Sequence, residues 1–340
     1  MKHDGAAAFT GLIDLAAAEL GGRVLEVNDE YFAEAHRMLE PGRGVFLPDE
    51  YTDRGKWMDG WESRRKRVPG HDQCTIALGS AGVIRGLDID TNHFLGNHAP
   101  FASLEAAASE DGPWTEVLPQ VPLRPGSQNL FAVQDSASYA FVRLHIYPDG
   151  GVARLRVYGD VTPDPERADP PCEETLDHLG DESALDLAAV KNGGLALACS
   201  DMFFGPMNNL IAPGRSVNMG GGWETRRRRS PTFLAESDWI LLRLGGRGSV
   251  SLLEIDTNHF KGNYADRFSL MGIDAEPSAR ITDLLVSEAW RPVMPETKLS
   301  AHARHFYAKE LSERGPFTHL RLFIYPDGGI SRLRAWGTLA

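Results

Sequence analysis

Four blocks of sequence occur twice in this chain, in the same order. Leu15-Ala16-Ala17, Gly21-Gly22, Leu25 and Asp29 return as Leu187-Ala188-Ala189, Gly193-Gly194, Leu197 and Asp201. Gly60-Trp61-Glu62-Ser63-Arg64-Arg65-Lys66-Arg67 returns as Gly222-Trp223-Glu224-Thr225-Arg226-Arg227-Arg228-Arg229. The nine residues from Ile89 to Asn97 return from Ile255 to Asn263, with only Leu95 exchanged, for Lys261. Ile146-Tyr147-Pro148-Asp149-Gly150-Gly151 returns unchanged from Ile324 to Gly329. The offset between copies is 172, 162, 166 and 178 at successive blocks, so loops differ in length between fixed elements. A period this long makes each copy a whole domain rather than one turn of a solenoid.

Two domains also suit 340 residues, of which 42% are hydrophobic and 24% charged, an ordinary globular balance. The division expected is 1–160 for the first repeat, 161–185 for a linker and 186–340 for the second repeat. The linker, with Thr162-Pro163-Asp164-Pro165 and Pro170-Pro171-Cys172-Glu173-Glu174, reads as exposed and unable to pack. A net charge of −12 argues against nucleic acid and anionic membrane surfaces as partners. Three widely spaced cysteines, Cys74, Cys172 and Cys199, read as reduced thiols of a cytoplasmic protein. Acids at Asp4, Asp14 and Glu19 argue against a signal peptide. No apolar run approaches the ~20 residues of a membrane span.

Strand signals dominate each copy. Val142 to Tyr147 alternates, Pro148-Asp149-Gly150-Gly151 supplies turn residues, and Val152 to Tyr158 alternates again, which predicts a β-hairpin. Leu144, Ile146, Leu155 and Val157 form its buried faces. Leu87 and Ile89 point one way and Asp88 and Asp90 the other, as do Leu253 and Ile255 against Glu254 and Asp256. Helices are expected only at 6–20, Tyr31–Leu39 and 183–190. Many short strands with Gly/Pro turns predict an all-β chain of antiparallel sandwiches or jelly rolls.

The Gly-Trp-Glu block offers Glu62 and Arg64 on one strand face, and Glu224 and Arg226 in the second copy. Glutamate can accept N–H groups, and arginine presents a planar fork to a carboxylate. The same residues also suit a solvated, aggregation-resistant edge strand. The Ile-Asp-Thr-Asn-His block places Asp90, Asn92 and His93, and Asp256, Asn258 and His259, at a strand end. There the histidine can act as a general base, or the acid, threonine and asparagine can simply cap a turn. The Tyr-Pro-Asp-Gly-Gly block is explained by turn geometry, with Arg143, Arg154 and Arg156 as flanking cations. No metal or nucleotide motif is written plainly; a metal assembled from separate loops would draw on His93, His98 or Asp59.

Together, residues 56–67 and 86–97 and their second copies resemble the allantoicase family. The resemblance covers both repeats. It implies two tandem jelly-roll β-sandwich domains like galactose-binding modules. It further implies hydrolysis of allantoate to ureidoglycolate and urea in allantoin and purine degradation, oligomeric assembly, and assistance by a divalent metal such as manganese. The implied catalytic residues are His93, Asp90, Glu62 and Asp59. The implied substrate-binding residues are Arg64, Asn92, Arg143, Arg226, Glu224, Asp256, Asn258 and His259. Asp59 precedes Gly60-Trp61, whereas Gly221 stands at that place in the second copy. The competing reading is a non-catalytic jelly roll that binds a small ligand or sugar. Such a platform needs exposed aromatics, and the repeated positions are mainly polar.

Overall fold

The computed structural model describes residues 8–165, 168–232, 236–276 and 278–340. The chain divides into two compact units, 1–162 and 163–340. Each is organised around one 19-residue strand, Asp72–Asp90 in the first and Asp238–Asp256 in the second.

In the first unit the start of the long strand lies between Arg23–Val27 and Ser138–Tyr147. Its end lies between Leu130–Ala132 and Arg154–Val161. The strand therefore passes from one sheet of a sandwich to the other, as corner strands do. Glycine permits the crossing. A Cβ on Gly79 would sit 2.7 Å from the Leu20 carbonyl, and one on Gly82 would sit 2.3 Å from Asp160 O. Gly245 and Gly248 occupy the same positions in the second unit, against Asn192 O and Thr338 O. Phe101–Ala107 and Thr115–Pro122 extend the first sheet, and Ile13–Asp14 edges the second. The second unit repeats this order, giving two eight-stranded assemblies. The fold is the all-β pair of jelly rolls that the alternation predicts. Leu87, Ile89, Leu144, Ile146, Leu155 and Val157 are fully buried, each contributing roughly 1.5–3 kcal/mol of hydrophobic stabilisation. Among the described residues no helix is long and apolar enough to cross a membrane.

Five local expectations need correction. Tyr-Pro-Asp-Gly-Gly does not close a hairpin. The strands on either side of it pair with opposite ends of the long strand, and Gly151–Val152 pairs instead with Trp61–Glu62. The turn residues are drawn away by side chains: Asp149 accepts from Lys66 N at 2.7 Å, and Ser63 Oγ accepts from Gly150 N at 3.2 Å.

Helix 6–20 is absent over its described part. Ala8–Gly11 and Ala18–Leu20 are short 3₁₀ turns around the strand Ile13–Asp14. Residues 6 and 7 lie outside the described residues. A fifteen-residue helix is marginal by itself, and pairing with Arg154–Val161, with Leu15 N donating to Val157 O at 2.8 Å, wins. The same pairing replaces helix 183–190 with the strand Leu185–Asp186 against Trp336 and Gly337, followed by a 3₁₀ turn at Val190–Asn192. Within Tyr31–Leu39 only Ala35–Leu39 is helical, as 3₁₀.

The supposed linker also packs. Glu173–Leu179 is an α-helix belonging to the second unit, with Thr175 fully buried. Arg304 anchors it, donating to Glu174 at 2.5 Å and to Thr175 Oγ1 at 2.9 Å. Acidic composition reads as exposed only while the arginine that receives it is unknown.

Candidate active site

The repeated motifs meet at one cluster of loops in each unit. Trp61 is fully buried and donates from Nε1 to Asp29 O at 2.7 Å. Alternation then turns Glu62 away from the core. Its Oε1 accepts from Asn97 Nδ2 at 2.8 Å, joining the two motif blocks. Burial raises the Glu62 pKa, opposed by the Asn97 hydrogen bond. In the second unit Asn263 Nδ2 donates to Glu224 Oε1 at 2.6 Å. There the pair lines a cavity of 360 Å³ with Arg227, Arg229, Tyr264 and Asp327. His98 stands at the position of Tyr264 in the first unit, and its Nδ1 is buried without a protein partner.

The Ile-Asp-Thr-Asn-His block forms a tight turn, with Phe94 N donating to Thr91 O at 2.9 Å. Asp90 is buried and clamped by Arg43, Nε to Oδ2 at 2.8 Å and Nη2 to Oδ1 at 3.0 Å. It also accepts from Asn92 N at 2.9 Å, while Asn92 Nδ2 donates to Gly44 O at 3.0 Å. His93 is exposed, adopts φ 68°, and stacks on Phe46 with centroids 5.5 Å apart. A histidine at positive φ is uncommon, and residue i+2 of a turn is where that conformation is needed. The second unit repeats the frame: Arg215 clamps Asp256 at 2.8 and 3.1 Å, Asn258 N donates to Asp256 Oδ1 and its Nδ2 to Ser216 O. His259 also has φ 68°, but its Nε2 lies 3.0 Å from Ser216 O. Phe94 and Phe260 are fully buried under these turns, and a Cβ on Gly151 or Gly329 would meet their rings at 2.0 or 2.1 Å. Retention of the second glycine of the pair in both copies follows from this packing.

Arg64 is 62% exposed and holds Asp29, with Nε on Oδ2 at 2.7 Å and its backbone N on Oδ1 at 3.0 Å. Burial opposes Asp29 ionisation, but these donors outweigh it and hold the carboxyl below its usual range. Arg64 also lies over Tyr31, and Arg226 over Phe203 at 4.5 Å. Arg143 is not brought into the cluster by any of its contacts. It lies 4.0 Å over Trp114 and donates to Thr75 Oγ1 at 3.1 Å on the face of the other sheet. Arg43 and Arg215 escape a motif search because each is a single residue in a loop. Pro41-Gly42-Arg43 and Pro213-Gly214-Arg215, at the offset of 172, are the signal that reveals them.

The allantoicase repeat model matches residues 13–162 and 185–340. The chain belongs to the allantoicase family. A probable allantoicase of Pseudomonas paraeruginosa is 47% identical over 337 residues, covering 97% of both chains. One from Pseudomonas fluorescens is 45% identical, covering 98% of both. The crystal structure of allantoicase from Saccharomyces cerevisiae superposes with a TM-score of 0.76 at 31% identity, covering 99% of each chain.

The two allantoicase repeats differ where charge is placed. Asp59 accepts two bonds from Arg154, Nη1 to Oδ1 at 3.1 Å and Nη2 to Oδ2 at 2.7 Å. Burial opposes Asp59 ionisation, but Arg154 outweighs it and lowers the pKa. In the second repeat Gly221 supplies no carboxylate, and Arg332 donates only to carbonyl oxygens, including Gly221 O at 2.6 Å and Gly214 O at 2.9 Å. The donor set does not suit a divalent metal. Asp59 and Asp90 are bound by arginines, and among the described residues no three His, Cys, Asp or Glu side chains converge to hold one.

Proposed function

We propose that this chain hydrolyses allantoate to ureidoglycolate and urea. The observation that carries the reading is that the family match spans both repeats, whose motif blocks meet at a carboxylate held by an asparagine. In the reaction, the bond from the central carbon to one ureido nitrogen breaks. That nitrogen takes a proton, and a water hydroxyl bonds to the carbon. Glu62 is assigned as the acid that protonates the leaving nitrogen, because burial keeps its proton bound to higher pH. Arg64 is assigned to the substrate carboxylate and His93 to the proton of the attacking water. Asn92, Asp90 and Asp59 shape the site through the turn and the two arginine pairs, and Glu224, Arg226, Asp256, Asn258 and His259 are their counterparts in the second unit.

The same reading makes the protein a cytoplasmic homo-oligomer, and its three cysteines are free thiols. Incubation with allantoate, with urea and ammonia measured separately, tests the function. One urea per allantoate consumed is expected, and ammonia as the first product overturns the reading.

A further inference from the structure

The second unit contains a cavity of 350 Å³ that does not include the Glu224–Asn263 pair and borders the motif cluster at Arg215. Its wall includes Arg215, Arg304, Arg332 and Arg334, with Asp186, Glu254 and Cys172 beside them. Comparison of the two units shows how this wall became electropositive. Arg332 corresponds to Arg154, whose charge is met by Asp59, but Gly221 removes that carboxylate. Arg304 lies opposite Asp256 in register; in the first unit, where Asp88 lies opposite Leu130, Gln128 two residues before Leu130 stands at the corresponding place. Gln128 donates to Asp88 at 2.6 Å; Arg304 donates to Glu254 at 2.9 Å and adds a charge. At these two positions one carboxylate lost and one guanidinium gained make a difference of +2 relative to the first unit, and Lys191, paired with Asp169, stands where the first unit has Glu19. Glu174 meets part of this through Arg304.

Two buried arginines remain under-compensated. Arg332 is 6% exposed and has only carbonyl partners. Its pKa is lowered to about 10, by burial first and then by neighbouring Arg334. Arg334 is 9% exposed, reaches Asp186 only at 3.5 Å, and leaves Nη1 buried without a protein partner. A buried cation lacking a counter-charge is costly, and an anion of suitable size relieves that cost.

We propose that this cavity is a second binding site, specific for a small organic carboxylate of the ureido-acid class. The carboxylate is required by Arg332 and Arg334. The ureido arm suits Asp186 Oδ2, which Arg334 reaches only at 3.5 Å while Oδ1 accepts from Ala188 N and Ala335 N, and this part rests on the proposed function. A planar carboxylate fits a guanidinium fork in two-pronged fashion.

Cys172 reports occupancy directly. Its thiol is exposed and lines the cavity, with Arg304 Nη1 at 3.2 Å. Burial raises its pKa, but hydrogen bonds from Thr175 and Arg304 outweigh this and lower it, favouring the reactive thiolate. Cys74 is buried and its pKa is pushed up. Iodoacetamide labelling of Cys172 is followed by peptide mass spectrometry, with ureidoacetate, acetate, urea or inorganic phosphate present. Ureidoacetate lacks the second ureido group, so the probe has no urea to lose from a diureide carbon. It should slow labelling about fivefold or more, acetate less, and neutral urea not at all. Arg332→Gln should abolish the protection. An unchanged rate with millimolar ureidoacetate on the wild-type protein overturns the site, and this arm needs no variant. Equal protection by phosphate overturns the carboxylate class. Protection by acetate equal to that by ureidoacetate removes the ureido arm. Urea release from allantoate is scored separately, so failure of the function and failure of the cavity are distinguishable.

Discussion

Arg43 grips both oxygens of Asp90 from a half-exposed loop position, and Arg215 grips Asp256 identically. Asp90 is 1% exposed, so losing Arg43 strands a buried carboxylate. Breaking a fully buried pair costs about 3–5 kcal/mol. The Arg43 side chain is 51% exposed, and water screens the loss, leaving about 1–2 kcal/mol. Arg43→Ala should therefore lower Tm by about 3–6 °C in calorimetry, with activity falling alongside because the Gly44–Asn92 contact loosens. An unchanged Tm with lost activity would place Arg43 on the substrate instead.

Asp88 makes stability depend on pH. Burial, its largest cause, raises its pKa to about 6, with Gln128 opposing and Asp90 adding. A raised carboxylate pKa means the folded state holds the proton more tightly. The associated stability is full below about pH 4 and is lost as pH rises through about 6. Two units correspond to about 3 kcal/mol. Asp88→Asn should remove this dependence, raising Tm at pH 8 while leaving it nearly unchanged at pH 4. Parallel Tm curves for the two proteins across that range would contradict the assignment.

Glu62 can be tested through its partner. The Asn97 hydrogen bond favours the carboxylate, so Asn97→Ala should raise the Glu62 pKa further. The limb of the pH–kcat profile governed by Glu62 should move to higher pH. Glu62→Gln should lower kcat about 10²–10⁴-fold, the usual cost of losing a general acid, with Tm little changed. A profile that does not move in Asn97→Ala would remove Glu62 from proton transfer.

The duplication, the jelly-roll class and the strand faces were legible because apolar alternation in Leu144, Ile146, Leu155 and Val157 is a local signal. Partner choice was not. Pro148 to Gly151 has hairpin chemistry, yet Lys66 and Ser63, more than eighty residues away, bind it and make it an arch. Alanine-rich 6–20 looks helical until the Val157 carbonyl claims Leu15. In the site, Glu62 and Asn92 were readable from repetition. The commitment of Asp90 and Asp59 to Arg43 and Arg154 depends on long-range pairing that residue types alone do not specify.

The two histidines separate chemistry from conformation. His93 and His259 share φ 68°, but their surroundings differ. His93 is exposed and stacked on Phe46, and among the described residues no group hydrogen-bonds to its ring. His259 has Nε2 3.0 Å from Ser216 O, and its backbone N donates to His302 Nδ1 at 2.8 Å. An imidazole held by a carbonyl serves the turn, whereas an exposed one can exchange protons with substrate. His93→Ala should therefore lose about 10²-fold or more in kcat, and His259→Ala should retain more turnover while losing Tm. Alanine at positive φ is itself strained, so glycine supplies the control. His93→Gly should be about 1 kcal/mol more stable than His93→Ala, yet equally inactive if the imidazole is required. Activity restored by His93→Gly would show that the turn, and not the ring, is what His93 provides. Equal losses in His93→Ala and His259→Ala at unchanged Tm would mean that both turns serve the reaction alike.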